Sequence, residues 1–277
     1  MDNQKLVMFL NNMRAENKSE KTIDRYSLYI NDMLNFVSKP DTNVTISDLV
    51  NWKISMQGLA SATIACRIAA VKSYFRFLFN MEFISKDVSN NDMFRAPKIK
   101  NKPTEFLSFD NAKVLVTNAR NPRDKAIIAV YLTMGIRVSE LINLKVSDVQ
   151  GDWMDIKTKG DKIRHIYLNK DCKTFIEDYL KVRKESEYDN LFISNQGTPM
   201  KSQCLTAMLR KLAKREGLSD KITNHSMRHT VVTAIGNSNG IASASKFIGH
   251  ANVATTQRYF HTTDEDIKEM SMGLQLS

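Results

Sequence analysis

Asn224-His-Ser-Met-Arg-His-Thr230, an apolar run, and then Ile248-Gly-His-Ala-Asn-Val-Ala-Thr-Thr-Gln-Arg-Tyr-Phe-His261 form the stretch on which the reading of this chain turns. His225 and Arg228 stand three apart, the spacing that puts two side chains on one face of a helix. His250 follows a glycine, and Tyr259 comes nine residues later. A guanidinium fork, two imidazoles and a phenol are the groups that metal-free attack on a phosphodiester requires. The phenol is the nucleophile, the cations hold the charge that builds on the non-bridging oxygens, and a base or nearby cations help a phenol whose ordinary pKa is about 10.

The rest of the chain suits an anionic partner. Forty Lys+Arg against thirty Asp+Glu give +10 and a pI near 9.4, which favours association with a polyanion. The excess is shared: residues 1–103 carry 15 basic and 10 acidic side chains, residues 104–277 carry 25 and 20, so each part nets +5. A basic tail on a neutral body is thereby excluded. Cys66, Cys172 and Cys204 are far apart and form no Cys-x-x-Cys, which points to a reducing compartment and away from a disulfide framework or a thiolate metal site. The N-terminus shows no signal peptide, and the longest apolar run, Ala126–Leu132, is far short of a membrane span. A cytoplasmic protein with no membrane association is expected. No Walker-type glycine-rich loop and no Cys/His/acidic cluster at ligand spacing is present, so neither metal nor other cofactor is expected.

Backbone breakers divide the chain. Residues 1–95 hold one glycine, Gly58, and one proline, Pro40, and the spacing predicts four helices over about 3–17, 20–37, 46–57 and 61–80, with Ser47 as N-cap of the third. Lys21 and Arg25 on the second helix, and Arg67, Lys72 and Arg76 on the fourth, form a candidate phosphate-contacting face. Residues 96–104 contain Pro97 and Pro103 with Lys98, Lys100 and Lys102; proline discourages helix, so an extended basic linker is expected, joining two domains that close on a duplex. In residues 105–277, helices are predicted over about 108–118, capped by Ser108, and 122–134, with Pro122 in the first turn. Gly135 then breaks the chain before Ile136-Arg137. Residues 153–158 and 163–168 alternate as strands, joined by Lys159-Gly-Asp-Lys162 in a hairpin. Helices follow over about 170–184 and 202–216, the latter exposing Arg210 and Lys214. The fold class is mainly α with a small β-sheet (α+β).

Five elements in order carry a resemblance: Met134-Gly-Ile-Arg-Val-Ser-Glu-Leu141, Lys159-Gly-Asp-Lys162, His225-Ser-Met-Arg-His-Thr230, Ile248-Gly-His-Ala251 and Tyr259-Phe-His261. Together they resemble the tyrosine recombinase (phage integrase) family, in its two-domain Xer-like or integrase form. Met134 and Met227 stand where the family often has Thr and Leu, positions that bear no chemistry.

The resemblance implies a helical SAM-like core-binding domain (1–95), a linker (96–104) and a catalytic domain with a C-terminal tail (105–277). It implies that Arg137 and Arg228 clamp the phosphate with His250 as a further donor, that His225 is the base, and that Tyr259 forms a 3′-phosphotyrosyl link. Lys159 is the general acid because its Lys-Gly matches; Lys157 and Lys162 are the neighbouring alternatives. Glu140 is a structural support. The expected reaction is site-specific recombination of double-stranded DNA through a Holliday junction by a homo-tetramer, with the apolar tail 264–277 docking on a neighbour and accessory directionality proteins as further partners. The chain opens at the core-binding domain, which favours a short core site and leaves mobile-element integration and excision open beside Xer-type dimer resolution. A type IB topoisomerase-like nicking activity shares the site chemistry. An architectural DNA-binding protein does not explain all six groups.

Overall fold

The computed structural model describes residues 4–99, 105–158 and 162–249. The chain divides into two compact units, Met1–Lys102 and Pro103–Ser277. Ten α-helices and one two-stranded antiparallel sheet make up the regular structure of the described residues.

The first unit holds α1 (Gln4–Ala15), α2 (Glu20–Val37), α3 (Ile46–Ser55) and α4 (Ser61–Asn80). Their apolar stripes meet around Phe9, Ile30, Met33, Leu49, Trp52, Val71 and Phe75, the arrangement that a 3.6-residue period produces. The third helix starts at Ile46, where the sequence predicts, but on a different cap. Thr45, not Ser47, caps it, because Asp48 sits three residues on and accepts the Thr45 N–H at 2.9 Å while Thr45 Oγ1 accepts the Asp48 N–H. Asp41 is the buried polar anchor of this unit. Its carboxylate accepts from Tyr74 Oη at 2.6 Å and from Lys5 Nζ at 3.0 Å, and burial followed by this carboxylate holds the Tyr74 phenol protonated far above its ordinary range.

The second unit is built on α6 (Pro122–Met134), which is buried on all sides from Ala126 to Leu132. A helix apolar all round must be enclosed, and α5 (Phe109–Asn118), α8 (Lys170–Val182) and α10 (Asn224–Ile248) pack against it. That run is a core helix, and no helix among the described residues is long and apolar enough to cross a membrane. After α6 come the short α7 (Val138–Asn143), then β1 (Trp153–Thr158) and β2 (Lys162–Tyr167), paired with Trp153 opposite Tyr167 and Ile156 opposite Arg164. The hairpin turns Met154, Ile156, Arg164 and Ile166 inward, and leaves Trp153, Ile163, His165 and Tyr167 exposed. α9 (Ser202–Arg215) precedes α10, whose helical dihedrals are interrupted at Gly240 (φ 82°, ψ 158°).

Residues 183–201 are irregular, and one side chain organises them. Arg183 donates to the carbonyls of Leu191 (3.2 Å), Lys184 (3.2 Å), Tyr188 (3.0 Å) and Asn190 (2.7 Å). Asn190 Nδ2 in turn reaches Ile142 O at 2.8 Å and fastens the segment to α7. Replacing Arg183 with Met strands these acceptors, two of which, Leu191 O and Asn190 O, are partly buried. The expected loss is about 1–3 kcal/mol, read as a lower melting temperature and as new proteolytic cleavage within 183–201.

Candidate active site

The site grows from the end of α6. Gly135 takes the left-handed conformation (φ 53°) and its N–H closes on Tyr131 O at 2.9 Å, ending the helix. A Cβ on Gly135 would lie 3.3 Å from Val231 Cγ1 and 3.4 Å from Ile248 Cγ2. Glycine therefore serves twice here, by its φ and by letting the turn rest against α10. The chain emerges at Arg137, immediately before α7, and Glu140 one turn on grips it at two points. Glu140 Oε2 accepts the Arg137 N–H at 2.8 Å, and Oε1 accepts from Arg137 Nη1 at 2.7 Å. Glu140 is buried; Arg137 keeps about a third of its side-chain surface open.

α10 brings the second set. Thr223 caps it in a reciprocal box with Ser226, each hydroxyl accepting the other residue's N–H at 3.2 Å. Asn224 is buried and cross-linked: its Oδ1 accepts from Tyr131 Oη at 3.0 Å, and its Nδ2 donates to Thr206 Oγ1 at 2.8 Å. With Asn224 and Ser226 buried on either side, His225 is held facing outward in the first turn. Arg228, one turn later, is 2% exposed. Its Nη1 donates to Gly135 O and its Nη2 to Ile248 O at 2.9 Å.

His225, Arg228 and Arg137 are electrostatically one cluster. His225 lies at the surface, yet the protein around it strips part of its solvation, and the charges of Arg228 and then Arg137 add to that; together they hold its pKa below the ordinary value of 6.5. At neutral pH the ring is uncharged and able to accept a proton. The neighbouring His229 has a different role. It is buried, stacked on Phe106 at 4.2 Å, with Nδ1 3.2 Å from Thr233 Oγ1.

Residues 105–266 match the phage integrase family, and residues 6–81 match the phage integrase N-terminal SAM-like domain. The chain belongs to the phage integrase family. Tyrosine recombinase XerA of Pyrococcus horikoshii is 30% identical over 271 residues, 95% of this chain and 91% of that protein. Tyrosine recombinase XerD of Oceanobacillus iheyensis is 28% identical over 272 residues, 91% of each. Tyrosine recombinase XerC of Caldanaerobacter subterraneus subsp. tengcongensis is 34% identical over 216 residues, 74% of this chain but 60% of that relative's length. Among solved structures, XerA recombinase covers 100% of both chains at 30% identity with a TM-score of 0.56. XerH bound to its palindromic difH substrate covers 98% of this chain and 88% of its own, with a TM-score of 0.77 at 18% identity, a likeness of fold. The mainly helical fold with a small sheet that the sequence leads one to expect is thus the phage integrase fold.

Of the six groups singled out in this phage integrase family member, Arg137, His225 and Arg228 are brought together. Lys159, His250 and Tyr259 lie outside the described residues, as do Lys100, Lys102 and the tail 264–277. Lys21, Arg25, Arg76, Lys98, Arg210 and Lys214 are exposed and Lys72 is half-buried. Arg67 departs from the free basic face: it pairs with Asp32 at 2.9 Å and lies over the Tyr29 ring at 5.3 Å. Arg210 Nε donates to Ile222 O at 3.2 Å. Lys214 lines a cavity of about 690 Å³ with Arg120, Arg123 and Lys211, at the N-terminal end of α6, roughly 20 Å along that helix from Arg137 at 1.5 Å per residue.

Sequence reasoning missed Arg164. It occupies an inward position of β2, 6% exposed, and its guanidinium reaches Met134 O and Phe247 O at 3.2 Å each and Glu140 Oε2 at 3.5 Å. The signal was an arginine in phase with Ile166 and Leu168. It was masked because Ile163 and Tyr167 make the opposite face of the strand equally apolar. The electrostatic cluster itself is open to test: Arg137→Gln removes one of the charges acting on His225, so its titration midpoint, followed by ring-proton NMR, is expected to rise towards 6.5.

Proposed function

We propose that this chain is a site-specific DNA recombinase that cleaves and rejoins one strand at a time through a covalent tyrosyl ester. Tyr259 Oη attacks the scissile phosphorus, its proton passing to His225. The bond from phosphorus to the 5′ oxygen breaks, and that oxygen leaves as a hydroxyl with a proton from Lys159. Arg137, Arg228 and His250 hold the non-bridging oxygens as charge accumulates on them. The 3′-phosphotyrosyl ester keeps the energy of the bond, so a 5′ hydroxyl from a partner duplex reverses the step without ATP or metal.

One observation carries the reading: Arg137, just before α7, and Arg228, on α10, converge on His225, whose proton affinity their charges help to lower, in a chain of this family. Two guanidinium forks beside a proton acceptor fit a phosphoryl centre whose transition state gains charge on its oxygens. The tyrosine recombinases similar over nearly the whole chain, and the XerH and lambda integrase structures bound to their DNA sites, support duplex DNA as the partner. Four copies assemble on two duplexes in the cytoplasm, with the tail 264–277 docking on a neighbouring copy. The exposed cations of the first unit and the linker lysines contact phosphates.

A nicked suicide duplex, selected by mapping covalent adducts on source DNA, tests the chemistry. Wild type is expected to form a protein–DNA adduct in the presence of EDTA. Tyr259→Phe should bind the same duplex and give none; an adduct in that variant removes Tyr259 as nucleophile. Arg137→Ala should slow adduct formation by about 10²–10³-fold. Lys159→Ala should fail on ordinary DNA and recover on a 5′-bridging phosphorothiolate, whose leaving group needs no proton. Affinity should fall steeply on a log–log plot against salt, and truncation at 263 should reduce synapsis while sparing binding to a single duplex.

A further inference from the structure

An arginine on the inward face of a two-stranded hairpin is a costly choice. Its neighbours in phase, Met154, Ile156 and Ile166, are buried aliphatics, and an apolar side chain in its place avoids desolvating a cation. Burial does push the Arg164 guanidinium down to about 10, against the pull of Glu140 and with the push of Arg137, so it remains charged at neutral pH. Its contacts explain what the charge is for. Nη1 is shared between Met134 O, at the end of α6, and Phe247 O, near the end of α10, while Nη2 faces Glu140 Oε2 on α7 at 3.5 Å. That same Oε2 also accepts the backbone N–H of Arg137, and Oε1 accepts from the Arg137 guanidinium.

From this arrangement we infer that Arg164 is a positioning residue for Arg137: it shares Glu140 with Arg137 and so leaves the Arg137 guanidinium with uncancelled positive charge towards the phosphate. Glu140 orients Arg137, and a carboxylate at 2.7 Å would, by itself, also neutralise it. With formal charges of +1, −1 and +1 on Arg137, Glu140 and Arg164, the trio nets +1. The third member is buried and the first is partly open, so the surplus is presented on Arg137. Arg164 also joins three parts of the second unit by one planar group: the corner carrying Arg137, the β1–β2 hairpin on which it stands, and the end of α10. Lysine supplies the charge but not the fork that meets acceptors on three elements.

The inference rests on the function proposed above, and two measurements on the full chain keep the two apart. The first is the His225 midpoint by NMR, which needs no DNA. Arg164→Met lets Glu140 cancel Arg137, so the midpoint should rise; adding Glu140→Gln should bring it down again. The second is single-turnover adduct formation on the mapped suicide duplex. Arg164→Met should be slower by about ten- to a hundredfold, the size of loss when a group orienting a reactive one is removed, with duplex affinity near wild type. Arg164→Lys should lie between. Arg164→Met/Glu140→Gln should recover part of the rate, because the net charge on Arg137 returns; a merely structural arginine gives no such recovery. Thermal melts identify a variant that fails to fold, in which case Arg164→Lys and its Glu140→Gln double carry both measurements. An unchanged His225 midpoint, or a double variant slower than either single one, overturns the role of Arg164. Absence of any wild-type adduct overturns the proposed chemistry and leaves the titration to decide on Arg164.

Discussion

Two guanidinium groups laid across the ends of two helices hold the second unit together where it matters. α6 ends with the carbonyls of Met134 and Gly135 projecting, and α10 approaches its own end with those of Phe247 and Ile248. Arg164 takes Met134 and Phe247; Arg228 takes Gly135 and Ile248. The last carbonyls of a helix have no partner within it and carry the negative end of its dipole, so a cation between two such ends satisfies hydrogen bonds and field together. The left-handed glycines are part of the same construction. Gly135 lets the α6 corner lie on Val231 and Ile248, and at Gly249, which terminates α10 (φ 66°), a Cβ would come within 3.3 Å of Arg164 Cδ.

Carbonyl oxygens satisfy a guanidinium without cancelling its charge, whereas carboxylates do both. That difference shapes the candidate site. Arg228 donates to two carbonyls, Arg164 to two carbonyls and a shared carboxylate, and Arg137 forms a short ion pair with that same carboxylate. Two guanidinium groups, those of Arg137 and Arg164, therefore share one acid, Glu140. The consequence is visible at His225, whose proton affinity is lowered by the charges of Arg228 and Arg137 after desolvation. A site built this way is positive without being mobile, the condition under which electrostatic stabilisation needs little reorganisation.

Much of this was legible in the sequence, and what escaped has specific causes. Helix positions followed from periodicity because both units bury amphipathic or wholly apolar helices, and the Ser108 cap and Pro122 start are local chemistry. The Arg137, His225 and Arg228 convergence was accessible only through the order of motifs; no local pattern brings α7 to the start of α10. Ser47 was misassigned because two hydroxyl residues, Thr45 and Ser47, flank the first residue of α3, and only the reciprocal bond with Asp48 selects Thr45. The pairing of Arg67 with Asp32, 35 positions away, is tertiary and has no signal in the local sequence. Arg164 escaped because two faces of one strand were equally apolar, and a phase cannot be read from such a pattern.

The two units treat their arginines differently, and the contrast accounts for more than the site. In the first, Arg14, Arg67 and Arg95 pair with Glu20, Asp32 and Asp92. In the second, Arg123, Arg164, Arg183, Arg210, Arg215 and Arg228 all donate to backbone carbonyls, several of them in or beside irregular segments, and Arg123, Arg164 and Arg215 pair with Asp124, Glu140 and Glu216 as well. Irregular backbone leaves carbonyls unpaired, and each needs a donor once it is covered. Meeting that need with arginine fixes the loops and keeps the charge. The positive balance of this unit and the order of its irregular stretches thus share a physical origin, and exchanging these arginines for lysines to preserve charge would sacrifice the order.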